Sequence, residues 1–322
     1  MNGLAKLSLL LVIVLVSLSA YLRLAHSGIG CEGFPECYGL IGELPSLSEP
    51  VTTENAYQRL VQEADEPLSW ATPLHRLVAS VLGLCVVALF FLSVRQKRQR
   101  IITFLLLALT VYLAVLGIRS GSLHDPAVVM GNLAGGFCML GLLGWMVFSP
   151  REPAASRLRN TTVQNATLLA LFALCLQILL GGLTSANFAA TSCMTLPDCN
   201  GGYVPDRSLF DAMNLDQLHE ITPQGYVVGG PERMAIHRAH RLGALLTFLT
   251  VLISAIIALR AGQPFRATAI TIGVLLVLEF AVGVAAIITS LPIVLAVAHN
   301  WLAGLLLLAL LKLLTLRPVN AT

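Results

Sequence analysis

Cys31-Glu32-Gly33-Phe34-Pro35-Glu36-Cys37-Tyr38-Gly39 and Cys193-Met194-Thr195-Leu196-Pro197-Asp198-Cys199-Asn200-Gly201 are two versions of one loop. Both fit C-x3-P-[DE]-C-x-G. Each follows a long apolar run and precedes an H-R-L tripeptide, His75-Arg76-Leu77 in the first case and His240-Arg241-Leu242 in the second. Agreement at three linked landmarks identifies a tandem duplication. Each mismatch between the two copies then bears on function.

Hydrophobic residues make up 56% of the chain and charged residues 11%. That balance excludes an ordinary soluble domain. Apolar runs of about 18–24 residues are long enough to cross a hydrocarbon core about 30 Å thick. Eight such spans are expected, near 4–24, 73–94, 101–119, 127–148, 163–183, 236–259, 268–288 and 293–314. With eight crossings, Lys6, Arg95, Lys97, Arg98, Arg100, Arg151, Arg157, Arg159, Arg260, Arg266, Lys312 and Arg317 fall on one side. The positive-inside rule makes that side cytoplasmic, so both termini are expected inside a cytoplasmic (inner) membrane. Ser17-Leu18-Ser19-Ala20 resembles a signal-cleavage site. The fifth span, its counterpart in the repeat, cannot be a signal, so the first span is expected to be retained. The net charge of +3 comes from the cytoplasmic loops and gives no reason to invoke nucleic acid.

The expected fold is an all-α membrane protein of two tandem four-helix bundles. Four spans per repeat give the halves parallel topology, with a pseudo-twofold along the membrane normal. The first bundle is residues 1–148, a cytoplasmic linker 149–162, and the second bundle 163–322. Residues 149–156, Ser-Pro-Arg-Glu-Pro-Ala-Ala-Ser, suit a connector. A short surface helix is expected over 53–66, ended by Pro67, and a shorter one around Ser208–Leu215. Gly225, Gly229 and Gly230 mark turns before Pro231.

The outer loops 26–72 and 184–235 hold the paired cysteines. An outward location means an oxidising compartment, so Cys31–Cys37 and Cys193–Cys199 are expected disulfides. Cys85, Cys138 and Cys175 lie within spans and read as packed thiols.

Histidines carry the chemistry. His75, His237, His240 and His299 sit at or near the outer span ends. A lone histidine in a span is usually an interior hydrogen-bonded residue. Two on different spans at matching depth, His240 within the first two turns of the sixth and His299 about two turns into the eighth, suit a cofactor between facing helices. Bis-histidine ligation of haem iron fits that arrangement better than two structural histidines. Arg241 either pairs with a haem propionate or snorkels to lipid headgroups, and Arg76 stands in the same place in the first half. His75 matches His240, but the counterpart of His299 is Asn132, within one residue of register after Pro126. An amide is a poor iron ligand beside imidazole. His124 precedes Pro126 and belongs to the short outer turn. Glu279, mid-span, is either functional or a protonated acid bonded to a neighbouring helix. Gln177 and Glu279 are each followed by glycine four residues later, Gly181 and Gly283, which suggests a shared packing role.

Residues 20–31 (Ala-Tyr-Leu-Arg-Leu-Ala-His-Ser-Gly-Ile-Gly-Cys), Pro35-Glu36-Cys37-Tyr38-Gly39, His75-Arg76, Val128-Val129-Met130-Gly131, residues 181–187 (Gly-Gly-Leu-Thr-Ser-Ala-Asn), residues 236–241 (Ile-His-Arg-Ala-His-Arg) and His299 together resemble the haem A synthase family, in its proteobacterial form. The resemblance runs over nearly the whole chain. It implies an oxidoreductase that converts haem O to haem A by oxidising the C8 methyl to a formyl through successive hydroxylation. It implies a haem b cofactor in the second bundle, with His240 and His299 matching its ligands. It implies a substrate haem in the first bundle, with His75 matching one ligand. The Cys31–Cys37 pair would exchange electrons or protect the substrate site. Haem O synthase and cytochrome oxidase assembly factors are the implied partners, beside membrane lipid.

Two positions depart from the family pattern. A glutamate expected three residues before the first histidine is Thr72, and the second substrate-side histidine is Asn132. Both fall in the substrate site, and Glu63, Asp65 or Glu66 would have to supply any loop carboxylate. A haem-binding paralogue without methyl oxidation, serving electron transfer, sensing or oxidase assembly, is therefore an alternative. A small-molecule transporter is the alternative from another class, since duplicated bundles recur among transporters.

Overall fold

The computed structural model describes residues 1–27, 71–119, 126–149, 160–190, 192–193, 195–215, 230–289 and 291–317. Their helices are α1 (Asn2–Ser27), α2 (Ala71–Gln96), α3 (Arg100–Arg119), α4 (Pro126–Phe148), α5 (Thr161–Ala186), α6 (Ser208–Ala212), α7 (Pro231–Arg260), α8 (Arg266–Ile288) and α9 (Ile293–Thr315). All but α6 are long and apolar enough to cross a bilayer, eight helices in total among the described residues. Leucine, alanine and valine runs without internal proline favour unbroken helix. Asn160 caps α5 by accepting the Val163 N–H at 3.1 Å. Arg95, Arg260 and Lys312 lie in the last turns of α2, α7 and α9, where a cation complements the helix dipole.

The eight expected spans coincide with the eight long helices. The sixth begins earlier than the expected residue 236, at Pro231 behind the extended residue Gly230. Hydropathy misses Pro231-Glu232-Arg233, but proline and glutamate are favoured in a first helical turn. His240 is consequently in the third turn of α7 rather than the first two. The expected helix near 208–215 is α6. The expected helix over 53–66, the Cys31–Cys37 pair, His124, Glu63, Asp65, Glu66 and the linker residues 150–159 lie outside the described residues.

The packing follows the repeat. α1 contacts α2 and α4, α2 contacts α3, and α3 contacts α4, closing one four-helix ring. α5 contacts α7 and α9, α7 contacts α8, and α8 contacts α9, closing a second. The rings meet through α4 against α9, α1 against α9, and α4 against α5. Exchanging α1, α2, α3 and α4 for α5, α7, α8 and α9 leaves this contact pattern unchanged, as a twofold requires. Burial obeys the same exchange. The central α4 and α9 have 50% and 39% of their most apolar window buried, and the peripheral α3 and α8 only 11% and 17%. At the centre, α4 and α9 approach through glycine. A Cβ on Gly144 would fall 2.5 Å from Leu308 and one on Gly304 3.1 Å from Leu140. Small residues let spanning helices close without a hydrophobic drive.

Large apolar side chains face outward on every spanning helix, among them Leu84, Ile101, Phe172 and Val294. Such a surface suits lipid, where backbone groups must be satisfied within each helix. Cys85 is buried, but Cys138 and Cys175 are exposed, which corrects their reading as packed thiols. A thiol is apolar enough to face acyl chains.

Candidate functional site

His240 on α7 and His299 on α9 come together in the second bundle. Their ring centroids are 6.5 Å apart and the planes 82° from parallel. The two helices are diagonal in their ring, so the imidazoles meet across the bundle interior. Each ring is backed by a neighbouring helix. A Cβ on Gly181 of α5 would lie 3.2 Å from His240 Cε1, and one on Gly283 of α8 would lie 3.0 Å from His299 Cε1. The glycines are the cradle that admits the two rings.

Polar partners come from the same two helices. Gln177 Nε2 donates to the His240 carbonyl at 3.0 Å and lies 3.1 Å from His240 Nδ1. Glu279 Oε1 is 3.3 Å from His299 Nδ1, and the Glu279 backbone oxygen is also at 3.3 Å. Gln177 Oε1 and Glu279 Oε2 are buried without a hydrogen-bond partner. Sequence reasoning marked Gln177, Glu279 and their glycines as a shared packing feature. It missed that each pair faces a histidine, although the recurrence in the fifth and seventh spans was the available signal.

Arg241 reaches the second cysteine loop, and its Nε is buried without a hydrogen-bond partner among the described residues. Its Nη1 donates to the carbonyls of Thr195 at 2.7 Å and Asp198 at 2.6 Å, and its Nη2 to Cys193 at 3.0 Å. Arg238, one turn earlier, donates to the Cys199 carbonyl at 3.0 Å and lies 3.7 Å from Asp206. The two arginines hold the second loop onto α7 beside the histidines. The loop itself is closed by the Cys193–Cys199 disulfide. Within it Asp198 Oδ2 accepts the Gly201 N–H at 2.6 Å and a bond from Thr195 Oγ1 at 3.0 Å. Gly201 has φ +84°, which glycine adopts without strain. The motif P-[DE]-C-x-G thus encodes a carboxylate that grips the backbone of its own glycine. The Gly201 N–H, then the Thr195 hydroxyl, hold the Asp198 carboxyl below the usual range. Asp206 is lowered likewise, first by the Ser208 hydroxyl and N–H.

His237 is fully buried, with Nδ1 unpartnered. Ser192 and Arg233 tie the turn after α5 to α7, Ser192 Oγ donating to the Arg233 carbonyl at 3.0 Å and Arg233 to the Phe188 carbonyl. In the first bundle, His75 stands on α2 and Asn132 on α4. That diagonal pair corresponds to α7 and α9. Both residues are partly buried, and Thr72 falls in the first turn of α2.

The family model for cytochrome oxidase assembly protein (COX15-CtaA) matches residues 3–311. This chain belongs to that family. It is 33% identical over 320 residues to the Heme A synthase of Shewanella oneidensis, covering 96% of this chain and 94% of that one. It is 25% identical over 330 residues to the Heme A synthase of Granulibacter bethesdensis, covering 93% and 82%. It is also 25% identical over 324 residues to that of Neorickettsia sennetsu, covering 93% of each. The resemblance read from the motifs is borne out over nearly the full length.

Family membership raises the question of haem, and the residues present fit it. A metal–nitrogen bond of about 2 Å, with about 1.2 Å from ring nitrogen to ring centre, would put two imidazoles sharing one iron about 6.4 Å apart. The His240–His299 spacing is 6.5 Å. Among the described residues no three of His, Cys, Asp and Glu gather as a bare metal site would require. Two facing imidazoles suit an iron whose other four ligands come from a porphyrin.

Proposed function

We propose that the protein is a haem A synthase-type oxidoreductase of the bacterial inner membrane. It takes haem O and oxidises the C8 methyl to the formyl of haem A, with haem b as cofactor in the second bundle, residues 163–322. The observation that carries the reading is the pair of imidazoles from diagonal helices at axial-ligand spacing. His240 and His299 hold the cofactor, and Gly181 and Gly283 leave room for the rings. Bound haem b supplies an iron that passes electrons singly. The first bundle, residues 1–148, receives the substrate haem, with His75 as its imidazole. The arginine-clamped loop, Cys193 with residues 195–202, would cover the outer end of the cofactor bundle against water. Both termini face the cytoplasm, as the basic residues at the α2, α7 and α9 ends support. Haem O synthase and oxidase assembly factors are the expected partners.

The test is haem extraction from cells that co-express this chain with a haem O source. Haem A should appear. Its absence from folded, haem-loaded protein defeats the synthase reading. Alanine at His240 or His299 should strip the resident pigment, and unchanged optical bands in either variant would remove the cofactor site.

Asn132 favours a second reading. It stands within one residue of the register of His299 in the first repeat and offers an amide where an imidazole is expected. With Thr72 in place of the family glutamate, the protein would then hold haem for electron transfer, sensing or assembly without oxidising it. A transporter is poorly supported. Transport sites of this type use discontinuous helices near the midplane, and α1 to α9 run unbroken over the described residues.

A further inference from the structure

Glu279 and Gln177 are polar groups within apolar helices, where an unsatisfied polar atom is costly. Neither is itself required as an iron ligand. Each is followed four residues later by a glycine, and each polar–glycine pair lies against one histidine. Gln177 and Gly181 of α5 face His240, and Glu279 and Gly283 of α8 face His299. Every ligand helix therefore has a neighbour dedicated to its imidazole.

The geometry points to Gln177 and Glu279 as positioning residues for the two axial imidazoles, each acting with the glycine one turn further on. A histidine that ligates through Nε2 must carry its proton on Nδ1, and the acceptor on Nδ1 fixes both tautomer and ring orientation. For His299 that acceptor is present twice at 3.3 Å, as the Glu279 carboxylate and the Glu279 carbonyl. For His240 it is the Gln177 side chain, 3.1 Å from Nδ1. Its oxygen is buried without a partner, and rotating the amide brings that oxygen to the imidazole. The same rotation gives up the 3.0 Å bond to the His240 carbonyl. Gln177 is accordingly the weaker orienter and Glu279 the stronger.

The first repeat shows that this arrangement is not a general need of the bundle. Gln177 stands sixteen residues before Cys193, and the residue sixteen before Cys31 is Leu15. Glu279 stands thirteen residues before Pro292, and the residue thirteen before Pro126 is Leu113. Gly117 matches Gly283, yet among the described residues a Cβ there would meet nothing within 4 Å. Both polar orienters are confined to the half that keeps both histidines.

This inference rests on the haem reading above, and its test separates the two. The full-length protein is purified with its haem, and its midpoint potential and ferric low-spin electron paramagnetic resonance are recorded. An acceptor on Nδ1–H strengthens the imidazole as a donor and favours ferric iron. Glu279→Leu should shift the potential positive and move the low-spin signal, while Glu279→Gln, which keeps an acceptor, should restore most of both. Gln177→Leu should do the same more weakly. Gly283→Ala keeps the carboxylate but crowds the ring, and should move the resonance signal even if Glu279→Leu does not fold. A wild-type bis-histidine signal unmoved by Glu279→Leu, or by Gly283→Ala should the leucine variant not fold, overturns this inference alone. A wild-type protein with no such signal overturns it together with the haem reading.

Discussion

Arg23 Nε donates to Ser185 Oγ at 3.0 Å, and these two residues are equivalent positions of the two repeats. They are 162 residues apart, the same interval that separates Cys31 from Cys193. Equivalent residues touch only close to a twofold axis, so this bond is where a twofold relating α1 to α5 would pass. The duplication has diverged there into a donor and an acceptor. A hydrogen bond from a charged donor is worth about 1.5–3 kcal/mol. Ser185→Ala should therefore lower thermal stability in detergent by a few degrees. Arg23→Ala should lower it further, since the whole guanidinium is lost. Melting temperatures of both variants check this, and an unchanged value for Arg23→Ala would detach the bond from the inter-bundle seam.

Arg241 joins two of the repeated sequence landmarks, because the arginine of H-R-L holds the carbonyls of the cysteine loop. Three carbonyls on one guanidinium leave several orphaned acceptors once it is removed, each costing about 1–3 kcal/mol if it stays buried. Arg241→Ala should expose the loop over residues 195–202 to proteolysis at least tenfold faster, since about 1.4 kcal/mol is a factor of ten. Arg241→Lys should rescue little, because an ammonium cannot span three carbonyls in the guanidinium's fork. Mass-resolved limited digestion distinguishes the variants.

The Asp198 carboxyl gives that loop a dependence on acidity. Hydrogen bonds from the Gly201 N–H and the Thr195 hydroxyl depress its folded pKa below the ordinary 3.8. A depressed carboxyl contributes stability that is fully present above the unfolded value and is lost as pH falls through the folded one. Loop protection should therefore be flat from neutral pH down to about 4 and decline below it. Asp198→Asn should flatten the profile and lower its plateau. Hydrogen exchange at residues 195–202 across this range is the measurement. A decline above pH 5 would point to another group.

The crossings were legible because a bilayer imposes one strong rule, length and apolarity, that any eight long helices must obey. Pairing of Cys193 with Cys199 was legible from the repeat and the compartment. The start of α7 was not, because Pro231-Glu232-Arg233 is polar and its helix signal is local rather than hydropathic. Exposure of Cys138 and Cys175 was hidden for a related reason: an exposed thiol and a packed one look alike in an all-apolar run. The approach of the two histidine rings was legible, since matching depth on two spans constrains where side chains meet. Their orienters were not, because Gln177 and Glu279 reach across to a different helix, and spacing along one helix says nothing about what stands opposite. The hold of Arg241 on the cysteine loop was hidden for the same reason, its partners there being backbone atoms that carry no signature in sequence.

Asn132 makes the first bundle the place where the synthase reading is most exposed. It lies on α4, partly buried, within one residue of the register of His299 on α9. An imidazole there would stand diagonal to His75, as His299 stands to His240. Asn132→His should raise the haem content of the purified protein toward a second equivalent per chain. That second haem should be held more loosely than the first, because Leu15 and Leu113 stand where Gln177 and Glu279 orient the other pair. Missing partners of a ligating histidine typically cost about 10–100-fold in affinity. Adding Thr72→Glu restores the family carboxylate beside His75. If the two departures silence methyl oxidation, the double variant should yield haem A where the wild type yields none, or raise the yield by about tenfold or more, the usual scale for a placed acid or base. Spectra and extracted haems report occupancy and chemistry separately. A double variant that binds two haems and forms no more haem A than wild type would show that Thr72 and Asn132 are not what limits the reaction.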